Sequence, residues 1–346
     1  MKRGRGVETS LAAGGPARHI PVLLNEVLDA LHMRENGLYL DGTFGAGGYT
    51  QAILATPGTR VLALDRDPDA IAAGQEMVAQ YGGRLMLEHA RFSTCVEVAQ
   101  RLGLSDFDGA TFDIGVSSMQ LDEAARGFSF RFEGPLDMRM EQAGRSAADI
   151  VNTAGEEEIA DILYHYGEER ASRRIARAIV HDREIKPYTT TRELAELISR
   201  IIPARPQDIH PATRSFQGLR IAVNDELGEL VKALAGAETL LAPGGHLAVV
   251  SFHSLEDRIV KQFFALRSGK GKARSRLLPG EPVPPPTTFM LEGRQPVTAG
   301  HAETTQNPRS RSARLRAAVR TDVAALGIDP ALAALASLPA QSNKGR

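Results

Sequence analysis

From Leu38 to Gly115 short apolar runs alternate with stretches of helical length. Leu38–Asp41, Arg60–Asp65, Arg84–Glu88 and Gly109–Asp113 read as strands, and the Ala-rich segments 67–80 and 94–103 read as helices. Strands spaced by helices of roughly 10–15 residues imply right-handed βαβ units on a parallel sheet. After Ser118 the alternation stops. Residues 121–145 are mixed and residues 156–201 read as helices only. Thr190 with Glu193 forms a capping box ahead of Leu194, Leu197, Ile198 and Ile201 at helical spacing. The strand signal returns at His246–Phe252. Ser254 is then placed to cap a helix with the apolar face Leu255, Ile259, Val260, Phe263 and Phe264. Residues 268–310 read as loop, Ser312–Arg320 as a last strand, and no internal repeat is visible. The expected architecture is an α/β doubly wound sheet interrupted by an inserted all-helical domain. Its divisions are a tail over 1–18, the sheet domain over 19–120 and 221–320, the insert over 121–220, and a C-terminal tail over 321–346.

Composition narrows the class. The 346 residues are 42% hydrophobic and 24% charged, which argues against global disorder. The one apolar stretch of membrane-spanning length, Ala233–Phe252, is cut by Glu238 and by Pro243-Gly244-Gly245, so a membrane span is not expected. The first residues carry Lys2, Arg3, Arg5 and Arg18 without an apolar core and do not read as a signal peptide. Cys95 is the only cysteine. That excludes an internal disulfide or a cysteine-based zinc site and fits the cytoplasm. A formal charge of −1 gives no hint of a nucleic-acid partner, but the arginines are grouped. Arg170, Arg173, Arg174 and Arg177 form one cluster, Arg267, Lys270, Lys272, Arg274 and Arg276 a second, and Arg309, Arg311, Arg314, Arg316 and Arg320 a third. Any single cluster is ordinarily a solvated face. Three together suit bidentate contacts to phosphate.

The chemistry is concentrated after the first strand, in Asp41-Gly-Thr-Phe-Gly45-Ala-Gly47-Gly48-Tyr49-Thr50. Glycines let a backbone turn sharply and approach a ligand closely. A helix starting near Gly48 would add free N–H groups at the strand ends, where doubly wound sheets bind ligands. Gly45, Gly47 and Gly48 are therefore candidate cofactor positions. A dinucleotide fingerprint started at Gly45 would need a third glycine where Thr50 stands, and no Walker lysine follows the loop. Asp65, closing the second strand, can accept ribose hydroxyls. Asp41, just before the loop, suits a cationic sulfonium better than a pyrophosphate. Asp67 with Pro68 reads as a helix cap. At the end of the fourth strand Asp113 is an acceptor, and Ser117 and Ser118 can donate or accept.

These motifs, followed in order by Gly127-Phe-Ser-Phe130, Gly134-Pro-Leu-Asp-Met-Arg-Met140, Tyr166-Gly-Glu-Glu-Arg170, His210-Pro-Ala-Thr-Arg214, Ser251-Phe-His-Ser-Leu-Glu-Asp-Arg258 and Asn307-Pro-Arg309, resemble the bacterial ribosomal RNA small subunit methyltransferase H family over residues 19 to 320. The resemblance implies a class I (Rossmann-like) methyltransferase fold with an inserted helical domain for substrate recognition. It implies S-adenosyl-L-methionine as donor and N4-methylation of one cytidine in the decoding region of 16S rRNA, with the small ribosomal subunit as partner. By position it implies cofactor contacts at Gly47, Gly48, Tyr49, Asp65, Phe92, Asp113 and Gln120. This chain has Tyr49 where the family usually has His, and Ile114 and Met119 where Leu and Pro are usual.

Asp113 is the expected catalytic acceptor for the cytosine N4 hydrogens, assisted by backbone carbonyls of 113–116. The chain lacks the D/N/S-P-P-Y/F motif of other base methyltransferases, so Phe128, Phe130 and Phe132 are candidates for stacking on the base, at least two of them having a core role instead. His253 can reach the cleft from its strand end; Arg220 and Asn224 either face the cleft or join the domains. No histidine spacing suggests a metal, and none is expected. RNA contact is expected from Arg170–Arg177 and from the 267–276 loop. The competing readings are a nicotinamide dehydrogenase, a non-catalytic RNA-binding protein and a DNA amino-methyltransferase. Oligomeric state stays open.

Overall fold

In a computed structural model, which describes residues 21–203, 209–269 and 286–339, the apolar runs form one mixed sheet. Its strands are β1 (Leu38–Asp41), β2 (Arg60–Asp65), β3 (Leu85–His89), β4 (Phe107–Asp113), β5 (Leu241–Ser251), β6 (Phe289–Leu291), β7 (Val297–Thr298) and β8 (Arg314–Arg320). They lie in the order β3-β2-β1-β4-β5-β8-β6, with β7 also on β8. Strands β3 through β5 pair in parallel, and β8 closes the sheet antiparallel to β5.

Alternation along the strands decides which face each side chain fills. Leu38, Leu40, Leu62, Leu64, Phe112, Leu247 and Val249 point to one face. Tyr39, Val61, Ala63, Ala248 and Val250 point to the other. Helices α1 (Leu24–Leu31), α2 (Gly48–Leu54) and α3 (Pro68–Tyr81) pack on the second face. Helix α4 (Cys95–Arg101) packs on the first. A short helix, α5 (Ser118–Asp122), follows β4.

A second apolar cluster, separate from the sheet, is built from residues 128–219. It is assembled by α6 (Ala147–Thr153), α7 (Glu156–Asp161) with the π-turn 162–166, α8 (Ser172–Arg183), α9 (Thr191–Ile201) and α10 (Ala212–Asn224). Thr190 and Glu193 form the expected capping box on α9, and Leu194, Leu197 and Ile198 are buried. The chain returns to the sheet through α11 (Glu226–Leu240) and continues after β5 into α12 (Ser254–Arg267).

Several expectations need correction. Strand β5 begins at Leu241 rather than His246, because the strand partner shifts from Phe107↔Leu241 to Gly109↔His246 around Pro243 and Gly244, an irregularity that hid its first half. Asn307 and Pro308 start a 3-10 turn over Pro308–Ser312, so the last strand begins at Arg314. The stretch read as loop holds β6, β7 and α13 (His301–Gln306). The cap of α12 is His253, whose Nδ1 accepts the Glu256 N–H at 3.5 Å, and not Ser254. The C-terminal stretch read as a tail carries α14 (Pro330–Ala336). Its Leu332 and Ala336 are buried in the first cluster, and Tyr166 Oη donates to the Ala336 carbonyl. The expected N-terminal tail lies outside the described residues.

Much of the arginine grouping is structural. Arg267 is buried, with Nε 2.8 Å from Glu238 Oε1, and is no RNA contact; Lys270, Lys272, Arg274 and Arg276 lie outside the described residues. Arg314 and Arg316 pair with Asp257, and buried Arg320 donates to the Glu238 carbonyl. Glu238 also accepts from Thr288 Oγ1 at 2.5 Å. Breaking one partner of a buried pair leaves the other charge uncompensated. Glu238→Ala is therefore expected to cost about 3–5 kcal/mol of unfolding free energy, read from the urea midpoint at unchanged slope.

Candidate functional site

The site is a cavity of about 640 Å³ at the carboxyl ends of β1, β2 and β4, walled by the glycine loop, Asp65, Phe92, Asp113, Gln120, Arg220 and Glu226. Its size suits a small organic ligand.

The loop is held by carboxylates at two neighbouring strand ends. Asp41 is fully buried; its Oδ2 accepts from Thr50 Oγ1 at 2.6 Å and its Oδ1 from the Thr43 N–H at 3.2 Å. Asp65 Oδ2 accepts the Gly45 N–H at 2.7 Å, and its Oδ1 the Asp67 N–H at 2.8 Å. Gly45 and Gly47 have φ of 54° and 76°, in the left-handed region that β-carbons disfavour. At Gly48 the constraint is space, since a Cβ would stand 2.1 Å from Pro21 Cγ. Helix α2 begins there, with its first N–H groups at the cavity edge.

Asp41 corrects one expectation. It does not line the cavity but fastens the loop from behind, so it is no partner for a cationic ligand. Burial pushes its carboxyl up to about 6. Burial also raises Asp65, against the N–H groups it accepts. Each Asp65 oxygen retains a lone pair beyond those bonds, so it can still receive ribose hydroxyls.

Asp113 sits opposite the loop. Its N–H donates to Thr43 Oγ1 at 2.8 Å, so the glycine loop fixes the end of β4. Its Oδ1 is buried with no hydrogen-bond partner among the described residues. Burial, then the nearby Asp41 and Glu256 carboxylates, raise its carboxyl well above the usual range. Ser117 caps α5 by accepting the Gln120 N–H; the Ser118 side chain lies outside what is described.

The other expected positions divide. Phe92 lines the cavity and meets Phe112 edge-on at 5.6 Å. Gln120 lines it too, but its amide is engaged: Oε1 accepts the Ser117 N–H and Nε2 donates to Asp67 Oδ2 at 2.7 Å. Asp67 caps α3 as expected and also pairs with Arg126. Tyr49 is buried in the cavity wall with its hydroxyl donated to the Val22 carbonyl. Arg220 faces the cavity in a bidentate pair with Glu226, at 2.8 and 2.7 Å. Asn224 does not. It joins the segments instead, accepting from Met140 N and donating to Met138 O. Phe128 and Phe130 belong to the second cluster, as expected for two of the three, and Phe132 is exposed away from the cavity.

Sequence reasoning missed Thr43 as the bridge to Asp113, Phe252 in the cavity wall, and the Arg220–Glu226 pair. The first two stand inside quoted motifs, but neither residue type by itself signals that role. His253 is turned to Glu256, Nε2 to Oε1 2.9 Å, and burial is outweighed there because His253, then Arg220, hold Glu256 below its ordinary value.

A model of the MraW methylase family matches residues 16–321. Ribosomal RNA small subunit methyltransferase H of Methylocella silvestris is 67% identical over 346 residues, covering 100% of both chains. The protein of the same name from Beijerinckia indica is 64% identical over 343 residues, covering 99% of this chain and 97% of that one.

The raised Asp41 carboxyl sets a pH dependence. A carboxyl whose folded value exceeds its unfolded one binds more protons when folded, so stability is present below the unfolded value and lost as pH rises toward about 6. Asp41→Asn is expected to remove about 3 kcal/mol of that loss, measured as the difference between variant and wild type in urea unfolding at pH values below and above this window.

Proposed function

The chain belongs to the MraW methylase family, and from that premise we propose that it transfers a methyl group from S-adenosyl-L-methionine to N4 of one cytidine in the decoding region of 16S rRNA within the small ribosomal subunit. The observation that carries this reading is the buried, unpartnered Oδ1 of Asp113 beside a glycine loop. An acceptor left without a donor inside a protein is costly unless a ligand supplies one.

The residues fit the donor. Asp65 offers spare lone pairs to a ribose, Phe92 an aromatic surface to an adenine, and the start of α2 its first N–H groups to a carboxylate. Gly45, Gly47, Gly48 and Tyr49 shape this wall, and Gln120 closes it by tying α5 to Asp67. The bound donor supplies an electrophilic methyl group on a positively charged sulfur.

What remains for the protein is alignment. The N4 lone pair of cytosine is delocalised into the ring. An acceptor on the N4 hydrogens favours a pyramidal nitrogen and directs its lone pair. Asp113 is that acceptor, held in place by Thr43 and by the strand bond from Ile114 N to Val250 O at 2.9 Å. It also receives the proton N4 must lose. Positioning of this kind contributes up to about 7–11 kcal/mol in favourable cases. Phe252, beside Gly115 and in the cavity wall, offers the aromatic face that the missing P-P-Y/F motif would supply.

Residues 121–220 are the substrate-recognition unit in this reading. They carry their own apolar cluster and expose Arg170, Arg173, Arg174 and Arg177 at and along α8. Arg177 approaches Glu156 at 3.6 Å across solvent, a contact worth little energetically. The cytidine must be unstacked to reach the cavity.

Two tests follow. With labelled donor, small subunits and nucleoside identification, Asp113→Asn is expected to bind donor within about a few-fold of wild type and to lose about 10²–10⁴-fold in turnover. Retained turnover removes Asp113 from this role. Arg173→Ala with Arg174→Ala is expected to weaken RNA binding and flatten the slope of log affinity against log salt by about 1–2. An unchanged slope rejects the α8 surface.

A further inference from the structure

We propose that Asp113 is a charge-sensing carboxyl, neutral in the free protein, that releases its proton when the cationic donor enters the cavity and takes one up when the uncharged thioether product replaces it. This rests on the donor reading above.

The Oδ1 of Asp113 is buried and unpartnered, and its backbone N–H is spent on Thr43. The charges that disfavour its ionisation, after burial itself, are Asp41 from behind the loop and Glu256 from α12. The Tyr49 phenol on α2 is kept neutral by burial. Arg220 gives Nε and Nη2 to Glu226. His253 lies against Glu256 at 2.9 Å. Of the other cations in the same cavity wall, Arg66 pairs with Glu141 and Arg309 with Asp122, and none, Arg131 included, pairs with Asp113. Among the described residues no lysine or arginine pairs with Asp113. An ionised carboxylate there would stand without a countercharge beside two like charges, which favours the protonated form.

A sulfonium in the cavity supplies the missing charge. The donor and its demethylated product, S-adenosylhomocysteine, share the adenosine and the amino-acid end and differ by one methyl and one positive charge. A carboxyl that answers to that charge separates the two. Donor binding then costs a proton from Asp113 to solvent, and tightens as pH rises; product binding does neither. The same carboxylate, made anionic only by the donor, is ready to receive the N4 proton.

Titration calorimetry near neutral pH, in two buffers of different ionisation enthalpy, reads the proton count directly. The expected result is release of about one proton per S-adenosylmethionine and none for S-adenosylhomocysteine, with donor affinity rising toward tenfold per pH unit and product affinity flat. Asp113→Asn is expected to bind the donor with no proton release and with pH-independent affinity. If that variant fails to fold, the donor–product contrast on the wild-type protein decides alone. Donor binding without proton release overturns the proposal. So does equal release with both ligands, which would mean the carboxyl answers to their shared ammonium group. Release that persists in Asp113→Asn assigns the proton elsewhere and also overturns it. A protein that binds neither ligand sinks the donor reading itself.

Discussion

The site depends on carboxylates buried at the ends of neighbouring parallel strands and bonded to the backbone of the loop between them. Asp65 accepts the Gly45 N–H and Asp41 accepts the Thr43 N–H. Left-handed glycines have no side chain to hold them, so a loop built from Gly45 and Gly47 needs an external brace. Thr43 passes that order on, because its hydroxyl accepts the Asp113 N–H on the next strand. Three strand ends are thus tied to one another by polar bonds. Burial raises the two bracing acids, Asp41 and Asp65, and also Asp113 beside them. Of the three, Asp65 and Asp113 line the cavity, where a cationic ligand can offset that cost.

The two apolar clusters give this arrangement its setting. The sheet's faces are filled by alternate residues of the same strands, so β1, β2 and β4 cannot slip by one residue without turning both sets over. The helices of residues 128–219 close over a separate core. They are tied to the sheet by buried polar contacts, among them Arg126 to Asp67 and Arg66 to the Asn224 carbonyl. These bonds converge on the loop after β2, next to the cavity wall. The exposed arginines of α8 stand on a helix whose buried face is Ile175, Ala176 and Ile179.

Periodicity made the first four strands and the helices between them legible, because buried parallel strands are short apolar runs bounded by turn residues. It failed where polar residues carry structure. His253 caps α12 although Ser254 is the commoner capping residue, because the box with Glu256 closes on the histidine ring. Pro243 and Gly244 masked the first half of β5, and the apolar pair Leu332 and Ala336 was too short a signal to mark α14 as packed. At the site, the glycines, Asp65 and Asp113 were readable from spacing and strand ends. The position of Asp41 behind the loop was not, because a strand-terminal acid gives no sign of which way it turns. Nor was the consumption of Arg220 by Glu226, which lie on separate helices six residues apart.

The proposed chemistry turns on Asp113 aligning the methyl acceptor. The most direct measurement is a crystal structure of the protein with S-adenosylhomocysteine and cytidine both bound. Alignment by Asp113 puts the cytosine N4 within about 2.6–3.2 Å of one of its carboxyl oxygens, on the side of the cavity facing the sulfur. A base seated with N4 turned away, and Asp113 taken up wholly by the amino-acid end of the donor, would contradict it.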